Sequence, residues 1–173
     1  MFEIKQLSLY IFSIVVVIII LLIIFPVYTL ELRSLYDREL FFVQRIHPGD
    51  KFTLKYKHSV ELSPVWEIFV IDENYQIVLI ETDFLDHGAG LPYAAFDEEI
   101  FISEEGKFKI KNMHRIMPSP INYMIGAIYE NTLYLENKEI NLSSLLGDKL
   151  ITIKLNKSNL FSYLTHRRKI YNG

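Results

Sequence analysis

Cysteine is absent from the 173 residues. That excludes a disulfide scaffold and any cysteine-ligated zinc or iron–sulfur centre. An excess of basic charge is also absent. The 18 Lys+Arg stand against 21 Asp+Glu, for a formal net charge of -3, without the basic footprint that a nucleic-acid partner leaves. No internal repeat, low-complexity tract or Pro/Gly-rich linker occurs, which argues against a repeat array and against several flexibly joined domains. There is no His-x-x-x-His spacing and no Gly-x-Ser-x-Gly elbow, so neither a helical zinc site nor a hydrolase nucleophile is signalled. Apolar residues are plentiful, at 50%, but much of that content sits in the first thirty positions.

No charged residue interrupts Leu7 to Leu30; Lys5 and Glu31 are the nearest. A helix of that length covers the roughly 30 Å of a bilayer's hydrocarbon core with some tilt. Tyr10 and Tyr28 lie near its two ends, where amphipathic rings favour the membrane interface. Pro26 is placed to kink or end the helix. A cleaved signal peptide would have a shorter apolar region and a small-residue cleavage site, and Phe25-Pro26-Val27-Tyr28-Thr29 offers none. The expected layout is a short flank over 1–6, a transmembrane anchor over 7–30, a stalk over 31–39 and a β-rich soluble domain over 40–173. Lys5 precedes the span and Arg33 and Arg38 follow it, so the Lys/Arg balance leaves the orientation open.

Beyond residue 40 the pattern is that of strands. Phe52, Leu54, Tyr56, His58 and Val60 alternate with Lys51, Thr53, Lys55, Lys57 and Ser59, the period of a half-buried strand. Val65–Ile71 and Gln76–Thr82 are apolar, β-branched runs joined by Asp72-Glu73-Asn74-Tyr75, which reads as a hairpin loop. Further strands are expected over Leu40–Ile46, Glu99–Ser103, Phe108–Asn112, Tyr123–Tyr129, Thr132–Glu136 and Leu150–Leu155. Short helices are expected over Asn141–Leu146, closed by Gly147, and over Asn159–Thr165 with Ser158 as the N-cap. The fold class is therefore all-β, an N-terminal transmembrane helix followed by a β-sandwich or partly closed β-barrel.

Two stretches carry polar chemistry. In the first, the alternation puts His58 on the inward face beside Tyr56 and Val60. Glu61 or Glu67 is then the available orienting carboxylate, Ser59 faces the other way, and Pro64 marks a bend. A core histidine satisfied by a backbone or carboxylate partner is the structural alternative. Trp66 reads as a large core residue. The second stretch is Asp86-His87-Gly88-Ala89-Gly90-Leu91-Pro92, where the glycines permit a tight backbone whose N–H groups could hold an anion or carboxylate. It matches neither a dinucleotide fingerprint nor a P-loop. His58, Ser59 and Glu61 alternate along an extended strand and cannot converge as a triad. His58, Glu67 and His87 lack a metal-ligand spacing, so no catalytic residue, metal or cofactor is expected. The C-terminal His166-Arg167-Arg168-Lys169 run reads as a solvated tail, or as a segment against anionic headgroups.

Taken together, Pro48-Gly49-Asp50, Tyr56-x-His58-Ser59-Val60-Glu61, Pro64-Val65-x-Glu67 and Gly88-Ala89-Gly90-Leu91-Pro92, in this order and spacing, resemble domain of unknown function family 1850. Leu62-Ser63 departs from it, where other members tend to carry polar residues. The resemblance implies a small bacterial membrane-anchored or exported protein whose gene accompanies TRAP-type transporters of the TAXI class. It implies a non-enzymatic accessory role beside such an importer, with the soluble domain outside the cell membrane. The partners would be the lipid bilayer and a transporter membrane subunit or solute-binding protein, with no nucleic acid. It implies a common site at His58, Ser59, Glu61, Pro64, Glu67, Gly88, Gly90, Leu91 and Pro92, beside which His87 stands. An extracytoplasmic small-molecule-binding module is the second reading, with His58 and the glycine backbone as donors. A His/Glu enzyme is the third.

Overall fold

The computed structural model describes residues 2–85, 98–104 and 106–171, with side chains from 6 to 166. The apolar N-terminus forms helix α1 (Phe2–Ile24), of which Gln6–Ile24 is long and apolar enough to cross a membrane. By length and composition it could be a membrane anchor or a signal sequence.

The helix stops where Pro26 removes a backbone donor. The chain then enters strand β1 (Pro26–Ser34) directly. This corrects two expectations: residues 25–30 do not extend the apolar helix, and 31–39 is not a free stalk. β1 lies inside a four-stranded antiparallel sheet of order β2-β1-β12-β9. Here β2 is Leu40–Arg45, β9 is Ile121–Ile125 and β12 is Lys149–Asn159. Leu30 and Leu32 on one face of β1 are buried in the core, while Thr29 and Glu31 on the other are buried as well. A strand covered on both faces loses the clean polar/apolar alternation, so its pattern resembled the end of the apolar run.

The second sheet is also antiparallel, of order β11-β10-β3-β4-β5-β7-β6. Its strands are β3 (Lys51–Lys57), β4 (Pro64–Ile71), β5 (Ile77–Phe84), β6 (Ile100–Glu104), β7 (Lys107–Lys111), β10 (Thr132–Leu135) and β11 (Lys138–Asn141). The two-residue β8 (Arg115–Ile116) adds to β5. The two sheets enclose a common core. Leu30, Leu32, Ile151 and Ile153 from the first meet Phe52, Leu54, Val65, Phe69 and Phe84 from the second. The strand runs expected from Leu40 onward recur within a few residues, apart from Tyr123–Tyr129. There the strand ends at Ile125, and Ala127–Tyr129 forms a 3-10 turn. A Cβ on Gly126 would lie 2.7 Å from the Tyr129 ring, so that turn needs a glycine at its entrance.

α2 (Leu142–Leu146) is capped by the Asn141 side chain and closed at Gly147, in the place expected. α3 (Leu160–Tyr171) follows β12. Its cap is Asn159 rather than Ser158: the Ser162 N–H donates to Asn159 Oδ1 at 2.8 Å. Tyr163 of α3 packs on Val27 and Val43. The Leu160 N–H bonds the Phe25 carbonyl at 3.1 Å, which fastens α3 beside the end of α1.

The strand registers give the domain two ends. Pro26, Asn159 and the β4–β5 hairpin, whose Tyr75 stacks on Tyr28, lie at the end from which α1 leaves. Ser34, Ile125 and Lys57 lie at the other. At about 3.3 Å per residue, β1 separates them by roughly 26 Å.

Candidate functional site

β3 ends at Lys57, and the chain turns back through residues 58–63 into β4. His58 closes that turn. Its N–H donates to the Ser63 carbonyl at 2.8 Å, and its own carbonyl accepts from the Leu62 N–H at 3.0 Å. Its ring Nδ1 accepts from the N–H of Val60 at 3.4 Å and of Glu61 at 3.3 Å. His58 and Val60 therefore do not continue the inward face of the strand, as the alternation implied. His58 is half-buried and caps a turn, while Val60 is exposed. Leu62 takes a left-handed conformation at φ 53°, a geometry costly for a Leu. Pro64 begins β4, where its missing N–H is tolerated.

Glu67 does lie inward. It stands on the same face of β4 as Val65, Phe69 and Ile71, opposite Leu54. Its hydrogen bond comes from the Tyr56 hydroxyl, at 3.5 Å. Burial raises the Glu67 carboxyl above its ordinary value, against the opposing effect of the Tyr56 hydrogen bond. Burial also pushes up the Tyr56 phenol, helped by the Glu67 charge and hydrogen bond. Tyr123 on β9 meets Tyr56 edge-on at 6.2 Å. Its phenol too is raised by burial and by the charges of Glu67 and Tyr56, with the Asn131 bond opposing. Neutral groups are thus favoured where the two sheets meet at this end. His58 and Glu67 are not brought together as a base and its orienting acid: their hydrogen bonds among the described residues go elsewhere.

Above this cluster a cavity of about 350 Å³ is lined by Tyr56, His58, Ser59, Tyr123, Tyr129 and Asn131. Asn131, on the turn before β10, is the hub that the sequence reading missed. Its Oδ1 accepts from the Gly126 N–H at 3.0 Å and its Nδ2 reaches the Tyr123 hydroxyl at 3.4 Å. Its backbone N–H donates to Ser143 Oγ at 2.8 Å. An Asn in a Glu-Asn-Thr turn gives no signal of such long-range bonds.

The same end is studded with exposed apolar side chains. Val60 is 63% and Leu62 64% exposed on the His58 turn, Ile128 73% on the 3-10 turn, and Tyr36 80% on the β1–β2 turn, with Met124 between. Met124, Ile128, Tyr129 and Tyr36 also line a neighbouring hollow of about 500 Å³. The second motif, with His87, Gly88, Gly90, Leu91 and Pro92, lies outside the described residues. The chain leaves β5 toward it from Phe84, whose partner Val65 stands second in β4, at the His58 end. Among the described residues no group of three His, Asp or Glu is arranged to hold a metal ion.

The match to known families decides the relationship. The model of "Domain of unknown function (DUF1850)" covers residues 52–142. The chain belongs to this family. The matched span runs from the start of β3 to the start of α2. It therefore takes in nearly all of the larger sheet, the His58 turn and the Asn131 hub of this DUF1850 domain. Neither the curated proteins nor the solved structures yield a match.

Proposed function

We propose that this protein is a membrane-anchored, non-enzymatic accessory component of a TAXI-class TRAP solute importer, with its domain on the extracytoplasmic side. In this reading α1 is an uncleaved single-pass anchor. The end of the domain far from α1 touches a transporter subunit or the solute-binding protein.

The observation that carries the reading is the apolar crown of Tyr36, Val60, Leu62, Met124 and Ile128 at that end. Isolated exposed apolar residues are ordinary, whereas a cluster rimmed by polar groups marks an interaction surface. Lys57 and Glu130, 3.6 Å apart, supply part of such a rim. The absence of a loose stalk adds to it. β1 continues from α1 and is paired on both sides, so the crown is carried at a set height above the bilayer. A tethered domain meets its partner at high effective concentration, so a modest contact surface suffices.

The test is chemical crosslinking of the tagged full-length protein in its native membranes, with partners identified by mass spectrometry. Recovery of importer subunits supports the accessory role. Recovery of the protein without any importer subunit overturns it.

A further inference from the structure

The outer face of the larger sheet carries a groove that the family motifs do not account for. Trp66, expected in the core, points away from it. The register lines up Lys55, Trp66, Asp83 and Lys109 in one row across β3, β4, β5 and β7. A second row sets Thr53 beside Ile68 and Glu81. A bulge in β5 lets this happen. Ile68 pairs with Glu81 but Phe69 with Leu79, so Ile77 and Leu79 face the core while Glu81 and Asp83 face out.

The groove has a volume of about 420 Å³, within the range of small-molecule sites. Trp66, Ile68 and Leu85 give it an apolar wall, and Thr53, Glu81, Asp83, Lys107 and Lys109 give it polar groups. Lys109 Nζ serves both carboxylates, at 2.7 Å from Asp83 Oδ2 and 3.6 Å from Glu81. Glu81 keeps 26% and Asp83 23% of its side chain exposed, so both carboxylates offer acceptors to the groove.

We propose that this groove binds a neutral sugar ring. Lys109 already partners both carboxylates, so neither demands a cationic ligand. Such a site supplies acceptors and donors together, which matches the hydroxyl, both donor and acceptor. The indole offers an apolar surface for the C–H face of the ring, with Lys55 Nζ 5.8 Å from its centroid. Trp66, Asp83 and Lys109 hold the ligand; Thr53 completes the polar side.

Trp66 is the sole tryptophan of the chain, so its emission reports on this groove. Full-length protein in a detergent without a sugar headgroup is titrated with glucose, galactose and N-acetylglucosamine. The expected result is a saturable change in Trp66 emission with at least one of them in the millimolar range. Asp83→Asn, checked for its strand content by circular dichroism, should weaken it by about tenfold or more. If Asp83→Asn fails to fold, Thr53→Val and Lys109→Gln take its place. No saturation with any of the three sugars, or an unchanged titration in the folded variants, overturns the proposal. So does saturation by lysine or inorganic phosphate with no response to sugars.

Discussion

Asn131 and Ser143 hold each other across the end of the domain far from α1. Ser143 Oγ takes the Asn131 N–H at 2.8 Å and donates to the Gly126 carbonyl at 2.8 Å. The same Asn131 bonds Gly126 through Oδ1, so the 3-10 turn, β10 and α2 are joined at one side chain. Truncating it leaves a buried Gly126 N–H unpaired. Asn131→Ala is expected to lower stability by about 2–3 kcal/mol. Urea unfolding followed by circular dichroism checks this; a loss below about 0.5 kcal/mol would contradict the hub.

Glu67 and Glu31 are expected to respond to pH in opposite senses. Burial raises Glu67 in the folded state. Its protonated form therefore favours folding below the ordinary carboxylate range, and that favour is lost as pH rises through the raised folded value. Glu67→Gln, which removes the charge but keeps the shape, should raise the unfolding midpoint at pH 7 by roughly 2–4 °C. The gain should fade below about pH 4. A lower midpoint at pH 7 would show that the charged carboxylate is stabilised in some other way.

Glu31 is buried too, and burial alone would raise it. The hydrogen bonds from Arg33 and Asn156 and the charges of Arg33 and Lys154 outweigh burial and lower it. Arg33 Nε lies 2.6 Å and Asn156 Nδ2 2.9 Å from its oxygens. Its contribution is present above the ordinary carboxylate range and is lost as pH falls through the lowered folded value. Glu31→Gln should cost about 2 kcal/mol at pH 7, with the cost shrinking in acid. Thermal unfolding of both proteins from pH 3 to 7 reads this directly, and a cost independent of pH would contradict it.

Leu62 separates folding from docking. Its left-handed backbone suits Asn better than Leu, and its side chain is exposed. Leu62→Asn should leave stability unchanged or raise it by a few tenths of a kcal/mol, while reducing recovery of partners from membranes. Full partner recovery with the folded variant would remove Leu62 from the contact surface.

The sequence was legible where one rule acted alone. Phe52, Leu54 and Tyr56 alternate against one core, and Gly147 closes α2 as its chemistry demands. It misled where two constraints overlapped. β1 is covered on both faces, so the apolar run of α1 blended into it. Trp66 is apolar yet faces outward, because Glu67 takes the inward position next to it. His58 continues an alternating pattern but belongs to a turn, and only its backbone bonds reveal that. The candidate site draws Tyr56, Tyr123 and Asn131 from β3, β9 and the β10 turn, a meeting set by sheet packing rather than by spacing in the chain.

The most direct test of the central claim places a photo-crosslinking amino acid at Leu62, at Ile128 and, as a control, at the exposed Ile116 on the sheet edge near the α1 end. Each full-length protein is irradiated in its native membranes and the adducts are identified by mass spectrometry. The account predicts adducts to an importer subunit or its solute-binding protein from positions 62 and 128, and none from 116. Equal crosslinking from all three positions, or importer adducts from 116 alone, would contradict it.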